Sequence, residues 1–295
     1  MMKEIIKPAM HFAFVQVKAF GDLTVTATIL RNLPQESLAR CKIVVAPHLV
    51  ELVNALAPVC DVEVLDLIDR RLPALFDLKK RGLFAGARSA LSLRRSLAKA
   101  APQATFVMPS ARLREHFIVG RRSSLILPKA SNVYVAHEQF INQQFGAIGC
   151  LPKHHKTIQS SRIALCPFSR VSAKNIPWDL VVELADACSR KGFEVELLLL
   201  EGEDVANPEG LRARVIPRRF DALAAALSTY SGVVSADSLP AHLGEYCNIP
   251  SFVVSPVPNC YWLPAHAFKS EHWGVFNRRV ELHERLIEFL CAAKR

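Results

Sequence analysis

The feature that most constrains the fold of this 295-residue chain is an alternation of short apolar runs with helical patterns, which starts twice. Short runs rich in branched residues, each followed by a helical pattern, are typical of βαβ units in a mostly parallel sheet. In the first half, the predicted strands are Phe12–Val17, Lys42–Ala46, Val62–Leu65, Thr105–Met108 and Leu125–Leu127. The predicted helices of this half are Leu23–Asn32, Leu49–Leu56 and Ser89–Lys99.

A link rich in Pro, His and Lys follows at Leu151–Ser161, and the alternation then restarts. The predicted strands of the second half are Arg162–Cys166, Val195–Leu200, Arg214–Ile216, Gly232–Ser235 and Phe252–Val254. The predicted helices are Trp178–Lys191, Ala222–Ser228, Leu239–Cys247 and Val280–Ala293. We expect the last of these helices to pack back on the first half.

Two such series predict an α/β protein with two Rossmann-like, doubly wound domains, at residues 1–158 and 159–295, that face a central cleft. Ligands of doubly wound sheets bind beyond the carboxyl ends of the strands. The loops that directly follow strands should therefore carry the chemistry.

Composition narrows the class of protein further. The apolar run from His11 to Leu30 is interrupted by Lys18, Gly21 and Asp22, so we expect no transmembrane helix. The first residues contain an acid and lack an apolar core, so we expect no signal peptide. The eight cysteines include no C-x-x-C pair, which favours a reduced, cytoplasmic protein over a disulfide scaffold or a metal site.

Positive charge is concentrated between Leu78 and Ala130, where Glu115 is the single acid. The basic residues of this segment are Lys79, Lys80, Arg81, Arg88, Arg94, Arg95, Lys99, Arg112, Arg114, Arg121, Arg122 and Lys129. Such a field predicts an anionic partner, either phosphate-rich lipid, anionic glycan or nucleic acid, although a merely solvated basic surface is the alternative. The segment has few aromatic residues on which bases could stack, so we expect no nucleic-acid partner.

The first candidate loop is Lys18-Ala19-Phe20-Gly21-Asp22, between the first strand and the first helix. Gly21 permits a tight turn, and amides at a helix N-terminus attract an anion. Asp22 is either a plain N-cap or a carboxylate at the cleft that acts as general base.

The second candidate loop is Pro167–Lys174, which contains Ser169, Arg170 and Lys174. Hydroxyl, guanidinium and ammonium groups before a helix are suited to holding phosphate. The alternative is a flexible polar loop.

The third candidate loop is Ser235–His242, which opens a helix after a buried strand. Amides near Ser238 are placed to hold a diphosphate, and Asp237 alone would be interpreted as an N-cap. His242 is either a packed histidine or a substrate contact. Glu203, after another strand, is a candidate acceptor of hydrogen bonds from sugar hydroxyls.

Taken in order, these segments resemble family 9 glycosyltransferases, the lipopolysaccharide heptosyltransferase family. Phe14–Asp22 resembles that family's strand and Gly-Asp turn, and Cys166–Arg170 with Lys174–Pro177 resembles its Pro-Gly-Ala-Ser and Lys-x-Trp-Pro blocks. Ala236–Leu243 resembles its Asp-Ser/Thr-Gly-x-x-His-Leu block, and Ile249–Pro264 continues in the family's manner.

The resemblance implies a GT-B fold and an inverting, metal-independent transfer from a nucleotide-diphospho-sugar, possibly ADP-heptose, with no cofactor. By position, Asp22 would be the general base, Ser169 and Lys174 would hold the donor phosphate, and Asp237 and Ser238 would orient the donor. The implied acceptor is lipopolysaccharide core or another anionic surface glycan, reached from the cytoplasmic face of the inner membrane.

Three residues depart from the family pattern, because Leu239, Phe168 and Ser255 stand where its members usually have glycine. The departures favour a divergent member with a different donor or acceptor. They also motivate an alternative, in which the chain is a non-catalytic GT-B-like protein that binds nucleotide sugar or anionic glycan.

Overall fold

A computed structural model describes residues 11–67, 69–109, 112–120, 122–146, 149, 151, 161–203 and 210–294. The strands before residue 150 are β1 (Phe12–Gln16), β2 (Cys41–Val45), β3 (Asp61–Val64), β4 (Thr105–Met108) and β5 (Ser124–Ile126). The helices there are α1 (Phe20–Leu30), α2 (Gln35–Leu38), α3 (Val50–Leu56), α4 (Leu78–Arg81), α5 (Leu83–Ala100), α6 (Leu113–Val119) and α7 (Val133–Phe145).

The second half has the same kind of alternation. Its strands are β6 (Arg162–Cys166), β7 (Glu194–Leu200), β8 (Arg212–Ile216), β9 (Gly232–Ala236), β10 (Ser251–Ser255) and β11 (Trp273–Val275). Its helices are α8 (Trp178–Arg190), α9 (Phe220–Leu227), α10 (Leu239–Tyr246), α11 (Ala265–Lys269) and α12 (Arg279–Ala293).

Each half forms one sheet in which every described strand pair is parallel. The first sheet has the order β3-β2-β1-β4-β5, and the second has the order β11-β10-β9-β6-β7-β8. In both sheets the order reverses beside the first strand, which is the switch point of a doubly wound fold. The central strands β1, β9 and β10 are buried along their whole length, as parallel strands covered by helices on both faces must be.

The predicted α/β class with two Rossmann-like sheets is confirmed. The structure adds elements that the sequence patterns did not indicate, chiefly α6, α7 and β11. It also begins two helices earlier than predicted, α1 at Phe20 and α5 at Leu83. The predicted boundary at residue 158 and most of the predicted link lie outside the described residues.

The last helix belongs to the second half. Arg279 at its start forms ion pairs with Asp179 and Glu183 on α8, and Phe289 packs on Phe252 of β10. We expected this helix to pack on the first half, and these contacts place it on the second sheet. The reason is that its apolar stripe closes the second core, next to α8 and β11.

The two halves share one hydrophobic cluster. It joins residues of the first half, such as Phe14 and Ile43, to Val233, Leu243 and Ile249 of the second. Within this contact α1 packs against α10, and α3 packs against α9. Among the described residues, no helix is long and apolar enough to cross a bilayer.

Candidate active site

The first helical turns of α1 and α10 lie against each other at the carboxyl ends of the two sheets. The closest approach is between Gly21 and His242. A Cβ added to Gly21 would lie 3.3 Å from Cδ2 and 3.5 Å from Nε2 of that imidazole. Gly21 lies inside α1 and is not among the glycines with positive φ. Its role is therefore close packing between the halves, and the predicted tight turn is wrong.

Asp22 lies in the first turn of α1, three residues after Ala19, which is the N-cap. Its carboxylate makes no capping hydrogen bond, so the interpretation of Asp22 as a plain N-cap is wrong. Asp22 lines two adjoining pockets. One is walled by first-half residues, with Phe76 and Glu115 among them, and the other also includes Trp262 from the second half.

Burial raises the pKa of Asp22 to about 6, and the nearby charge of Lys18 offsets part of that increase. Within the described part of the chain, no cation forms an ion pair with this carboxylate. A carboxylate with a pKa near neutrality is a stronger base than an exposed aspartate, yet it is ionised at pH 7. Asp22 therefore has the properties of a general base.

His242 is buried and neutral. Burial lowers its pKa to about 4, and Nδ1 lies 3.1 Å from the Tyr134 hydroxyl of α7. The ring thus connects α7, α10 and the start of α1. This position agrees with a packed histidine, although Nε2 faces the same turn that carries Asp22.

Lys174 and Asp237 form an ion pair at the N-terminus of α10. The ammonium lies 2.7 Å from Oδ2 of Asp237 and 3.3 Å from its carbonyl oxygen. Asp237 is buried and Lys174 is partly exposed. The prediction that Asp237 caps the helix is wrong, because the N-cap is Ser238.

Lys174 lies away from the helix that follows it in sequence. It ends a single 3-10 turn, Ser172–Lys174, four residues before α8. Its ammonium instead reaches the turn before α10. The predicted anion clamp is therefore assembled between two loops that lie 63 residues apart in the chain.

The two predicted serines hold loop backbone. Ser238 donates to the carbonyl oxygen of Phe168 at 3.2 Å, which ties the second loop to the third. Oγ of Ser169 accepts from the Val171 amide at 3.3 Å, and the amide of Ser169 donates to Asn175 at 2.8 Å. These bonds set the shape of the site around Lys174.

The three departures from the family pattern fit without strain. Leu239 is the first residue of α10 and packs against the shared hydrophobic cluster, so its side chain faces the core. Phe168 packs edge-on against Trp178 with centroids 5.7 Å apart. Ser255 is buried and donates to the Val257 carbonyl oxygen at 2.8 Å. None of these residues is among those with positive φ.

The remaining predicted site residues are Arg170, Lys18 and Glu203. The Arg170 guanidinium of the second half lies 5.5 Å from the centre of the Phe20 ring at the start of α1. Lys18 is exposed just before that helix. Glu203 accepts from the Leu200 amide at 2.9 Å and faces Arg218 at 3.9 Å, so the structure gives it no contact with Lys174.

A buried polar chain leads from α7 to the pocket of Asp22. His137 donates from Nδ1 to the Val133 carbonyl oxygen at 2.8 Å, so Nε2 accepts from the Thr26 hydroxyl at 3.3 Å. Gln16 donates to the same hydroxyl at 2.9 Å. Sequence reasoning gave His137 no role because it did not recognise α7. The Tyr134–His137 spacing on one helix was the available signal.

The loop after β10 closes the pocket from the second half. Trp262 lines it beside Asp22. The pKa of Tyr261 is raised, mostly by burial and in part by the negative charge of Asp22. Asn132 anchors this loop by donating to the carbonyl oxygens of Cys260 at 3.0 Å and Leu263 at 2.9 Å. Over the residues that the structure describes, no three His, Cys, Asp or Glu side chains come together as a metal site.

The fold and the site together define the GT-B architecture, with two Rossmann-like halves that meet at a polar cleft. The E. coli heptosyltransferase WaaC, solved with ADP, is similar at a TM-score of 0.62 and 15% identity over 96% of this chain and 100% of that one. A family 9 glycosyltransferase from Veillonella parvula is similar at 0.59 and 13% identity over 97% of this chain and 96% of that one.

A third similar structure is the E. coli ADP-heptose lipopolysaccharide heptosyltransferase II, at a TM-score of 0.52 and 15% identity over 97% of this chain and 100% of that one. No protein-family model and no curated protein matches the sequence. At this level of identity, the likeness establishes a shared fold.

Proposed function

We propose that this protein is a glycosyltransferase that moves a sugar from a nucleotide-diphospho-sugar to a hydroxyl group of an acceptor. The observation that carries the proposal is the position of Asp22. Its desolvated carboxylate has a pKa of about 6, lines a pocket, and directly follows Gly21, which packs on the first turns of α10. A base and an anion-binding helix terminus thus lie on the two sides of one cleft.

The proposed reaction is a direct displacement. Asp22 takes the proton of the acceptor hydroxyl, and that oxygen forms a bond to the anomeric carbon of the donor. The bond from this carbon to the diphosphate breaks, and the departing nucleoside diphosphate takes the electron pair. One displacement inverts the anomeric configuration.

The proposed donor site lies at the start of α10. The negative charge of the departing diphosphate would be stabilised by Lys174, by the backbone amides at the start of α10 and by the helix dipole. This mechanism needs no metal. The side chain of Leu239 packs against the shared hydrophobic cluster.

The nucleotide and the sugar are proposed from the similar structures. Heptosyltransferase WaaC was solved with ADP, and another similar enzyme is named for ADP-heptose. We infer an ADP-linked heptose as the first donor to test. Ser169, Arg170, Glu203, Asp237 and His242 are proposed to shape the donor pocket.

The proposed acceptor is an anionic glycan such as lipopolysaccharide core, met at the cytoplasmic face of the inner membrane. Support comes from the basic segment, whose helix α6 lines the pocket of Asp22 with Glu115, Ile118 and Val119. Lys18 lines the same pocket and Gly21 directly precedes Asp22, so both are proposed as acceptor-side residues.

The test is a thermal-shift screen of nucleotide sugars, followed by NMR of the product formed with the best ligand. A nucleotide sugar that binds the folded protein should raise its unfolding temperature by mass action, and by more than the free sugar does. Transfer with inversion at the anomeric carbon supports the proposal. Binding without transfer to any hydroxyl acceptor, including water, would favour the non-catalytic alternative.

A further inference from the structure

Large apolar side chains are exposed on the basic segment of the first half. Leu83 is 79% exposed, Phe84 is 87% exposed and Leu113 is 89% exposed. Single exposed apolar residues are common, but three almost fully exposed ones in one charged segment need an explanation.

The outward face of α5 combines apolar and basic residues. Phe84, Arg88, Leu91 and Arg95 recur at spacings of four, three and four residues, so they form one exposed stripe. The opposite stripe is buried in the first-half core through Ala90, Leu93 and Leu97. A helix with an arginine-rich face that also exposes Phe and Leu is suited to lie in a membrane interface.

Helix α6 extends this surface. Leu113 and Phe117 lie one helical turn apart and are exposed, with exposed Arg112 and His116 beside them. The two helices pack against each other. Arg94 in the middle of α5 lies 5.9 Å from the ring of Phe117 near the end of α6.

The starts of α5 and α6 also share a neighbour, the 3-10 turn Ala74–Phe76. Arg114 lies 4.7 Å from the centre of the Phe76 ring, and Leu75 of that turn lies against Gly86 of α5. Leu83, Phe84 and Leu113 therefore project at one end of the domain. We call this surface the α5–α6 edge, and it comprises Lys79, Lys80, Leu83, Phe84, Arg88, Leu91, Arg95, Arg112, Leu113 and Phe117.

The α5–α6 edge adjoins the pocket of Asp22. Phe76, Glu115 and Ile118 line that pocket, so α6 presents one side to the pocket and the other to solvent. A molecule held at this edge would thus have its polar groups next to the proposed base.

We propose that the α5–α6 edge inserts into an anionic lipid bilayer and presents membrane-held acceptors to the pocket of Asp22. That the membrane-held molecules are acceptors rests on the proposed function, but binding to the bilayer is independent of catalysis. Lys79, Lys80, Arg88, Arg95 and Arg112 complement anionic headgroups, while Phe84, Leu83 and Leu113 enter the acyl boundary.

The first experiment is flotation of the full chain with vesicles of phosphatidylglycerol and phosphatidylcholine, and with phosphatidylcholine alone. Wild type should float with the anionic vesicles. The triple variant Leu83→Ser, Phe84→Ser, Leu113→Ser should partition about tenfold less, because its apolar contacts are lost. Val280→Ser, which alters a 75% exposed residue on α12, is the matched control and should float as wild type does.

A second variant set separates insertion from simple charge attraction. Lys79→Gln, Lys80→Gln, Arg88→Gln and Arg95→Gln together should also weaken binding, whereas the control Arg190→Gln on α8 should not. If only the charge variant loses binding and the serine variant floats normally, the proposal is overturned in favour of a surface for any polyanion. Tight RNA binding that vesicles cannot displace would also overturn it.

Insertion has a direct spectroscopic readout. In the variant Phe84→Trp, the fluorescence of the introduced side chain should shift to the blue on anionic vesicles and be quenched by brominated lipid. In the control Val280→Trp, neither change should occur. Equal behaviour of the two would overturn the proposal. Vesicle binding with no donor binding would instead contradict the proposed function alone, so the two failures are distinguishable.

Discussion

The two sides of the cleft differ in whether their buried carboxylate forms an ion pair among the described residues. On the first-half side, Asp22 is a single carboxylate that burial makes more basic. On the second-half side, Asp237 is also buried, but Lys174 neutralises it at 2.7 Å. A buried carboxylate that forms no ion pair remains available to accept a proton, whereas one that forms an ion pair fixes the shape of its loop. The difference teaches that, under the proposed function, the first-half side would react and the second-half side would hold the donor.

Replacement of the unpaired carboxylate should have the largest effect. Asp22→Asn keeps the shape of the side chain and removes the base, so turnover should fall about 100- to 10,000-fold. The measurement is kcat for sugar transfer, with circular dichroism to check folding. In the wild type, activity should decline as the pH falls through about 6, where Asp22 takes up a proton. Turnover within a few-fold of wild type in Asp22→Asn would remove the contrast between the two sides.

Loss of the paired cation should weaken donor binding. Lys174→Ala removes a charge-assisted contact, so the affinity for a nucleoside diphosphate should fall about 10- to 100-fold. Calorimetry with ADP measures the change. Lys191→Ala at the end of α8 is the control and should bind as wild type does. An unchanged affinity in Lys174→Ala would mean that the ion pair only shapes the loop.

A second buried carboxylate, which forms no ion pair among the described residues, extends the comparison to stability. Glu245 on α10 is fully buried, one of its oxygens has no partner among the described residues, and burial raises its pKa to about 7. Below about pH 4.5 the group is protonated in both states. As the pH rises to about 7 the unfolded chain ionises first, so the wild type loses stability. The free energy of unfolding of Glu245→Gln should therefore rise relative to wild type by about 3 kcal/mol across this range.

The free energies of unfolding of Glu245→Gln and wild type must be compared with each other at each pH. His137 and His242 have lowered pKa values of about 4, so they stabilise the fold as the pH rises and oppose the trend of Glu245. Urea denaturation at several pH values gives the difference. A difference that does not depend on pH would show that Glu245 is no titrating group in the fold.

The smallest effect should come from Ser238. Ser238→Ala removes one hydrogen bond to the carbonyl oxygen of Phe168, which is worth about 1 kcal/mol of unfolding free energy. Donor affinity should change by no more than about threefold, because the amides at the start of α10 remain. A loss as large as that of Lys174→Ala would mean that the hydroxyl itself holds the donor.

The sheets could be predicted from the sequence because their central strands are continuous apolar runs. Strands β4 and β6 lie at the predicted residues, and β1, β9 and β10 differ by a residue or so at their ends. Helix α7 was not predicted, because its buried face includes Tyr134 and His137 beside Val133, Phe140 and Ile141 and so does not stand out as an apolar stripe. The edge strand β11 was missed because it has only three residues.

The loops of the site could be located from the sequence, but their pairings could not. Position after a strand placed Asp22, Lys174 and Asp237 at the cleft. That Lys174 pairs with Asp237 depends on how two loops of the second half pack, and that Gly21 makes room for His242 depends on how the two halves meet. No local pattern encodes such contacts, because each partner comes from a distant part of the chain.

The hydrophobic cluster shared by the two halves has a consequence for engineering. A chimaera that exchanged the second half for that of another protein of this fold would bring together α1 and an α10 that had not been selected to fit each other. Such an exchange would disturb the core before it altered specificity. The workable unit of transplantation is α1 and α10 together with the loop after β10, because these segments pack on one another around the pocket of Asp22.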